Sequence, residues 1–463
     1  MRDLLRAKTF LISSLSLCLV ACANNPLRSY KSETDKTVSV LNQGSIDQAS
    51  QTLNANSDVL YHLEYGSLLR MGMAYPQSES NFIAANAYVD AWAASYHNGT
   101  WGNIADTFEA TLVNDNIVDY QIKDYEKVML VTYRALNALS QGDWDGARIQ
   151  IQRMYQLEQL IQNYREAQYE NLQEKSQELP QNTLNFNQFV ARNQDNYDFA
   201  AVSTPQVLAL KNGYQNAFSH YLAGFIFEAM GEDSLSRPGY VKALQLNPGN
   251  SMISQSIANL DKSNKPGKTQ TDLLLVEEIG HAPQIKSYDL NIPFFSTTRN
   301  GNNCVNSVSI SFPGLVPDRE NTYANAFMVD GKDQTPLLFT NVNLMAARYL
   351  RDDLPNIFIR NVLRAGRDFA AQQAACNNGS SLLNIAALGA GILLNRADER
   401  AWVLLPGQIY VNRVRLSRGK HTIVVNTNEG IKSLTVNLTG AYQVVSWRVI
   451  GNQVYFSPNL AGK

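Results

Sequence analysis

Arg360, Arg364 and Arg367 recur at helical spacing, and a helix would carry their guanidinium groups along one face. Such a row suits an anion: a phosphate, or the carboxylate of an acidic partner, held by charge-assisted hydrogen bonds. Arg348 and Arg351 lie on the preceding stretch, while Asp352, Asp353 and Asp368 are near enough to neutralise part of the row. A solvated, salt-bridged face is therefore the competing reading. Other candidate groups are poorer. His62, His97, His220, His281 and His421 form no HxH or HxxxH pair, and no Cys/His spacing suits zinc. Glu277 and Glu278 are adjacent on an expected strand, so they point to opposite faces, whereas acid–base work needs two carboxylates facing one cleft. No GxSxG, P-loop or dinucleotide fingerprint occurs. The expectation is no metal, no cofactor and no catalytic residue.

The remaining candidate is a thiol. Arg2, Arg6 and Lys8 precede a short apolar run that ends Leu19-Val20-Ala21-Cys22. A basic start, an apolar core of about ten residues and small residues at the cut make a secretory signal. The order leucine, small, small, cysteine resembles the lipobox of bacterial lipoproteins. The resemblance implies thioether diacylation of Cys22, cleavage before it and acylation of the new amino terminus. With Ala23 and Asn24 in place of an aspartate, it also implies sorting to the outer membrane, facing the periplasm. The alternatives are a secreted protein cut nearby or an uncut anchor, although residues 10–21 fall short of the roughly 20 apolar residues of a membrane span. Several acyl chains at ~0.8 kcal/mol per methylene anchor stably where one would not.

The chain has four cysteines. Cys18 leaves with the signal and Cys22 carries lipid, which leaves Cys304 and Cys376 in an oxidising compartment. One disulfide between them, closing a loop of about 70 residues, would contribute roughly 4 kcal/mol in the loop-entropy account. Two separate buried thiols are the alternative.

Length allows two or three domains. Lys and Arg number 39 against 41 Asp and Glu, so no global field attracts nucleic acid. Residues 1–21 read as the signal and 22–58 as a polar tether, with a short helix expected near Val38–Leu41. Residues 59–262 carry a helical period. Within them Gly224, Phe227, Gly231, Tyr240, Ala243 and Pro248 fit one tetratricopeptide-like frame of about 34 residues. Ala135, Gly142 and Ala147 fit a second copy, and Gly66, Phe82 and Ala85 a third; a non-repeat helical bundle is the alternative. Residues 184–204 interrupt the array and are expected to pack across its groove. After a linker at 263–271 the period changes to strands over 272–463. A helical insertion is expected at about 340–394, restarting at Pro355 and including an apolar helix at 382–394. Residues 402–405 read as a strand. The fold class is thus α+β: an N-terminal α-helical tetratricopeptide-like repeat domain, then a β-rich, sandwich-like domain with a helical excursion.

The order of lipobox, repeat-like helices, the Leu275-Val276-Glu277 strand and Ala397-Asp398-Glu399-Arg400-Ala401-Trp402-Val403-Leu404-Leu405-Pro406-Gly407-Gln408-Ile409 resembles an uncharacterised family of bacterial outer-membrane lipoproteins. The expected function is a non-catalytic scaffold or assembly factor in the cell envelope, held to the membrane by its N-terminal lipid. Its partner would be an envelope protein or peptide along the inner helices of the hairpins. Binding of peptidoglycan or polysaccharide through Trp92, Trp101 and Trp144 is the second reading, and an envelope hydrolase the third.

Overall fold

A computed structural model describes residues 30–53, 58–97, 120–177, 186–194, 197–297, 303–318, 325–377, 397–459 and 461–463. The described chain is α+β, with helices in its N-terminal half and strands mainly in its C-terminal half. In chain order the first helices are α1 (Tyr30–Asn42), α2 (Ile46–Thr52), α3 (Val59–Met71) and α4 (Tyr75–His97). Then come α5 (Asp124–Ser140), α6 (Trp144–Gln177), α7 (Phe186–Arg192) and α8 (Pro205–Ala209), followed by α9 (Ala217–Ala229), α10 (Asp233–Leu246) and α11 (Ser251–Asp261). Side-chain caps start several of them. Asp58 accepts from the Tyr61 amide, Asn216 from Ser219, and Asn250 from Met252 and Ile253, satisfying donors that a helix leaves open.

Helices α3/α4, α5/α6 and α9/α10 form three antiparallel hairpins that pack in sequence, with α11 closing the row. Their turns are alike in detail. Met73, Gly142 and Gly231 hold φ of 60°, 75° and 76° at the same place. Behind them the amides of Ala74, Asp143 and Glu232 reach the carbonyls of Leu69, Ala138 and Phe227. This is the left-handed helix stop that glycine favours. Seven residues before each turn stand Gly66, Ala135 and Gly224. A Cβ on Gly66 would lie 2.5 Å from Phe82, and one on Gly224 2.5 Å from Tyr240. The Ser78 hydroxyl donates to the Gly66 carbonyl and the Ser236 hydroxyl to the Gly224 carbonyl, both at 2.7 Å. The middle hairpin has Ala135 and Ile151 at the glycine and aromatic positions, a roomier solution to the same close approach.

The strands are β1 (Gln270–Ile279), β2 (Gln284–Thr297), β3 (Asn303–Val316), β4 (Phe327–Val329), β5 (Lys332–Gln334) and β6 (Leu337–Asn341). After the long helix α12 (Val342–Asn377) come β7 (Gln408–Ser417), β8 (Gly419–Thr427), β9 (Gly430–Leu438), β10 (Tyr442–Ile450) and β11 (Gln453–Pro458). A five-stranded sheet runs β11-β10-β1-β7-β6, a four-stranded sheet β5-β4-β8-β9, and β2 with β3 makes a separate hairpin. Strand β1 is parallel to β10 and antiparallel to β7. It is buried on both faces, which explains the unbroken run Leu273-Leu274-Leu275-Val276. Leu273, Leu275, Val445 and Trp447 meet Phe327, Ile423, Val425 and Leu438 of the four-stranded sheet, a sandwich core. Leu274, Val276, Ile409 and Val444 on the other face join the core of the helical hairpins. Hairpins, five-stranded sheet and four-stranded sheet are thus successive layers, and the first two share one core.

The structure departs from the sequence reading in five places. The stretch read as tether folds from Tyr30 onward. Thr34, Thr37, Leu41 and Ala49 are buried, and the Tyr455 hydroxyl donates to the Leu41 carbonyl at 2.6 Å. Leu41 and Ala49 join the main core with Val38, Val40, Ile46 and Leu53 packed against it, and hydroxyl contacts, which a hydropathy pattern does not register, help hold α1 and α2 down. Strands β2, β4, β5 and β6 were not expected. Pro355 lies inside a continuous α12 instead of restarting a helix. Phe189, Tyr197 and Phe199 of the insertion pack on Phe312 of β3 and Phe358 of α12, away from the hairpin groove. Residues 401–407 form no strand, because side chains of the helices take their amides. The apolar stretch 382–394 lies outside the described residues.

Candidate functional site

The inner helices of the hairpins carry buried carboxyl groups, and these are aimed at the chain's own backbone. Glu64 on α3 accepts from the Val403 amide at 2.7 Å and the Leu404 amide at 3.0 Å. Glu126 on α5 accepts from the Trp402 amide at 3.0 Å and from the Lys123 amide and the Tyr120 hydroxyl. The Trp402 indole donates to the Ser67 hydroxyl and packs between Phe82 and Tyr133. Arg448 of β10 donates to the carbonyls of Leu404 and Leu405, and to the Tyr133 hydroxyl. Lys123 closes the other end on the Arg400 carbonyl. Residues 401–407 therefore lie against α3 and α5, held by side chains of both helices and by Arg448.

Burial pushes the Glu64 carboxyl up to about 8, although the two backbone amides and the Tyr30 hydroxyl oppose the rise. Tyr30, the first residue of α1, lies 3.1 Å from Glu64 and 3.1 Å from the Ala401 carbonyl. A phenol has one proton to give. When Glu64 is neutral it can donate to Tyr30, which then donates to Ala401; when Glu64 is ionised, Tyr30 turns to the carboxylate.

A cleft of about 160 Å³ opens beside this segment, between the start of α5, the middle of α12 and the β2–β3 hairpin. Ile285, Leu315, Leu350 and Ile357 give it an apolar floor, and Lys123, Asp353, Arg360, Asp398 and Arg400 line it with charge. Arg400 pairs with Asp398 at 2.8 Å. Behind Tyr349, Arg165 and Lys127 both bind Asp124, and Arg165 also reaches Asp353 at 3.3 Å. Burial raises the Asp124 carboxyl, but Arg165 and Lys127 outweigh it and hold the group below the usual carboxylate range. Arg360 meets Asp353 at 4.0 Å. Along the cleft itself Lys123, Arg360 and Arg400 stand against Asp353 and Asp398, which leaves one positive charge in the lining, and Arg360 is the most loosely held.

Of the arginine row, Arg360 faces the cleft, Arg364 is buried at 2 % exposure, and the Arg367 side chain lies outside the described residues. Cys22 is outside them too. Cys304 lies in β3 and Cys376 in α12, with their side chains outside the described set. The tryptophans do not form a sugar platform among the described residues: Trp144 is buried, and Trp92 lies under the Lys127 ammonium and against Tyr164. Trp101 is outside them. Glu277 and Glu278 are both buried. Glu277 accepts from the Trp447 indole and the Asn325 amide on the sandwich side, and burial pushes it up to about 7. His220 is buried against Glu158 at 3.1 Å, and His421 pairs with Asp330. Sequence reading missed Glu64, Glu126 and Arg448. A signal was available: Glu64 lies one turn from both Leu60 and Leu68, on the apolar stripe where a carboxylate needs a partner.

Among the described residues no group of His, Cys, Asp and Glu is placed to hold a metal, and no helix is long and apolar enough to cross a membrane. Comparison with family models, with curated proteins and with solved structures finds no match to this chain.

Proposed function

We propose that this protein is a lipid-anchored scaffold or assembly factor of the bacterial outer membrane. On this reading it faces the periplasm and holds a partner protein through the cleft between α5, α12 and the β2–β3 hairpin. The observation that carries the reading is the cleft's make-up: an apolar floor beside Arg360 and one surplus positive charge. That fits an acidic peptide segment which buries one apolar side chain and sets a carboxylate against the guanidinium. The cleft is preferred to the inner helices because residues 401–407 already take the carboxyl groups of Glu64 on α3 and Glu126 on α5. The buried carboxyl groups satisfy the chain's own backbone, which supports an architectural role over catalysis. Anchoring rests on Leu19-Val20-Ala21-Cys22. Fully extended, the stretch from Cys22 to Tyr30 reaches at most about 28 Å, so a lipid at Cys22 keeps the folded body near the bilayer.

Affinity isolation after crosslinking in intact cells tests this. Arg360→Glu should lose the wild-type partner while staying in the membrane fraction. Recovery of the same partner in equal yield from Arg360→Glu would refute the cleft as the docking site.

A further inference from the structure

A second, larger cavity of about 740 Å³ lies on the far side of the helical layer, between α11 and strand β7. Its floor is a network of fixed charges. Arg413 donates to Glu228 at 2.7 and 3.0 Å and to Asp272 at 2.6 Å. Arg415 grips Asp272 at 2.6 and 3.0 Å. Two guanidinium groups thus meet two carboxylates, and the floor is electrically balanced. Arg415 also donates to the Asn264 side chain and carbonyl, which ties the floor to one wall. In that wall Asn259 Oδ1 accepts from both Gln255 and Asn264. Its acceptor is then occupied, so Asn259 offers the groove its Nδ2 donor, while Gln255 offers its Oε1 acceptor. Asn412 and Thr335 line the opposite side, and Met252 and Leu337 supply small apolar patches. An added peptide strand does not suit the place. β6 is the edge strand there, and Asn247 already donates to its Leu338 carbonyl at 2.7 Å.

We propose that this groove binds an uncharged glycan. Neighbouring amide donors and acceptors, tied to one another along α11, match the vicinal hydroxyl and acetamido groups of a sugar. The balanced floor favours neutral over ionic ligands, and Met252 and Leu337 can lie under the C–H face of a ring. The volume falls within the range of about 300–1,000 Å³ typical of small-ligand sites. The groove is separate from the cleft at Arg360, so one anchored protein would hold a partner protein and a glycan at once.

Calorimetric titration of the detergent-solubilised lipoprotein tests this with two probes, the tetramer of N-acetylglucosamine and the tetramer of α-1,4-glucose. At least one should bind, and raising the salt should leave its affinity unchanged. Binding of the N-acetylated probe points to cell-wall glycan, and binding of the glucose probe to another polysaccharide. The double change Gln255→Ala with Asn259→Ala should weaken binding at least about tenfold, or ~1.4 kcal/mol. Ser251→Trp, on the exposed rim, should obstruct the groove with thermal unfolding unchanged, and Arg360→Ala should bind as wild type does. Failure of both probes at millimolar concentration, or equal binding by the groove variants, would overturn the proposal.

Discussion

Glu64→Gln separates the contribution of one buried carboxyl from everything around it. The side chain keeps its shape, but one carboxyl oxygen becomes an amide nitrogen. Glu64 Oε1 faces the Val403 amide at 2.7 Å and Oε2 faces the Leu404 amide at 3.0 Å, so one backbone donor must then confront a second donor. A buried N–H left without an acceptor costs about 1–3 kcal/mol. Taking about 2 kcal/mol, local opening of residues 401–407 becomes roughly 30-fold more frequent. Hydrogen exchange read by mass spectrometry on the peptide spanning 401–407 measures this directly. Its sign with pH follows from the acid being pushed up to about 8. The folded state holds that proton more tightly than the unfolded state does. Stability is therefore full below the ordinary carboxyl range and is lost as pH rises through about 8. After correction for intrinsic exchange, wild-type protection of this peptide should fall between pH 6 and 9, and Glu64→Gln should lack that fall. Wild-type exchange rates in Glu64→Gln at pH 6 would refute the idea that Glu64 holds the segment.

Gly224→Ala places a Cβ 2.5 Å from the fully buried Tyr240 ring and should cost about 1–3 kcal/mol by overpacking, whereas Gly231→Ala meets nothing within 4 Å and should lose ~1 kcal/mol through its φ of 76° alone. Thermal unfolding that ranks Gly231→Ala as the more damaging would contradict this account of the hairpin frame. Arg413→Met leaves the buried Glu228 without its cation, while Asp272 keeps Arg415; a loss of about 3–5 kcal/mol is expected in denaturant unfolding, and a stable variant would show the network to be dispensable. Cys22→Ser should move the protein from the membrane fraction to a soluble or unprocessed form, and unchanged membrane retention with no lipid label on the wild type would remove the anchor.

The legible part of the fold was the part written in small residues and apolar periods. Gly66, Gly224, Gly231 and Ala243 announced the hairpin frame because close helix approach and a left-handed turn restrict residue type. The run from Leu273 to Val276 announced a strand, and the structure buries it on both faces. The cleft was legible in Arg360 and Asp353 of α12, but not in the rest of its lining, since residues 121–125, β2, β3 and residues 397–400 are brought to α12 by pairings that periodicity does not encode. The segment 401–407 misled for a physical reason. Trp402, Val403, Leu404 and Leu405 have the composition of a strand, yet their hydrogen-bond partners are Glu64, Glu126 and Arg448, far away in sequence. The α1–α2 strap was largely hidden because its apolar residues are few and scattered among polar ones, and hydroxyl bonds such as Tyr30 to Ala401 and Tyr455 to Leu41 fasten it as well.

A photo-crosslinking residue placed at single sites in living cells tests the central claim most directly. Substituted for the exposed Gln121 or the half-buried Asp398 at the cleft, it should yield one discrete adduct with an envelope protein, and that adduct should disappear when Arg360→Glu is added. Substituted for Ile431, exposed on β9 at a distance, it should yield none. Equal adducts from all three sites, or an adduct from the cleft that survives Arg360→Glu, would contradict the account.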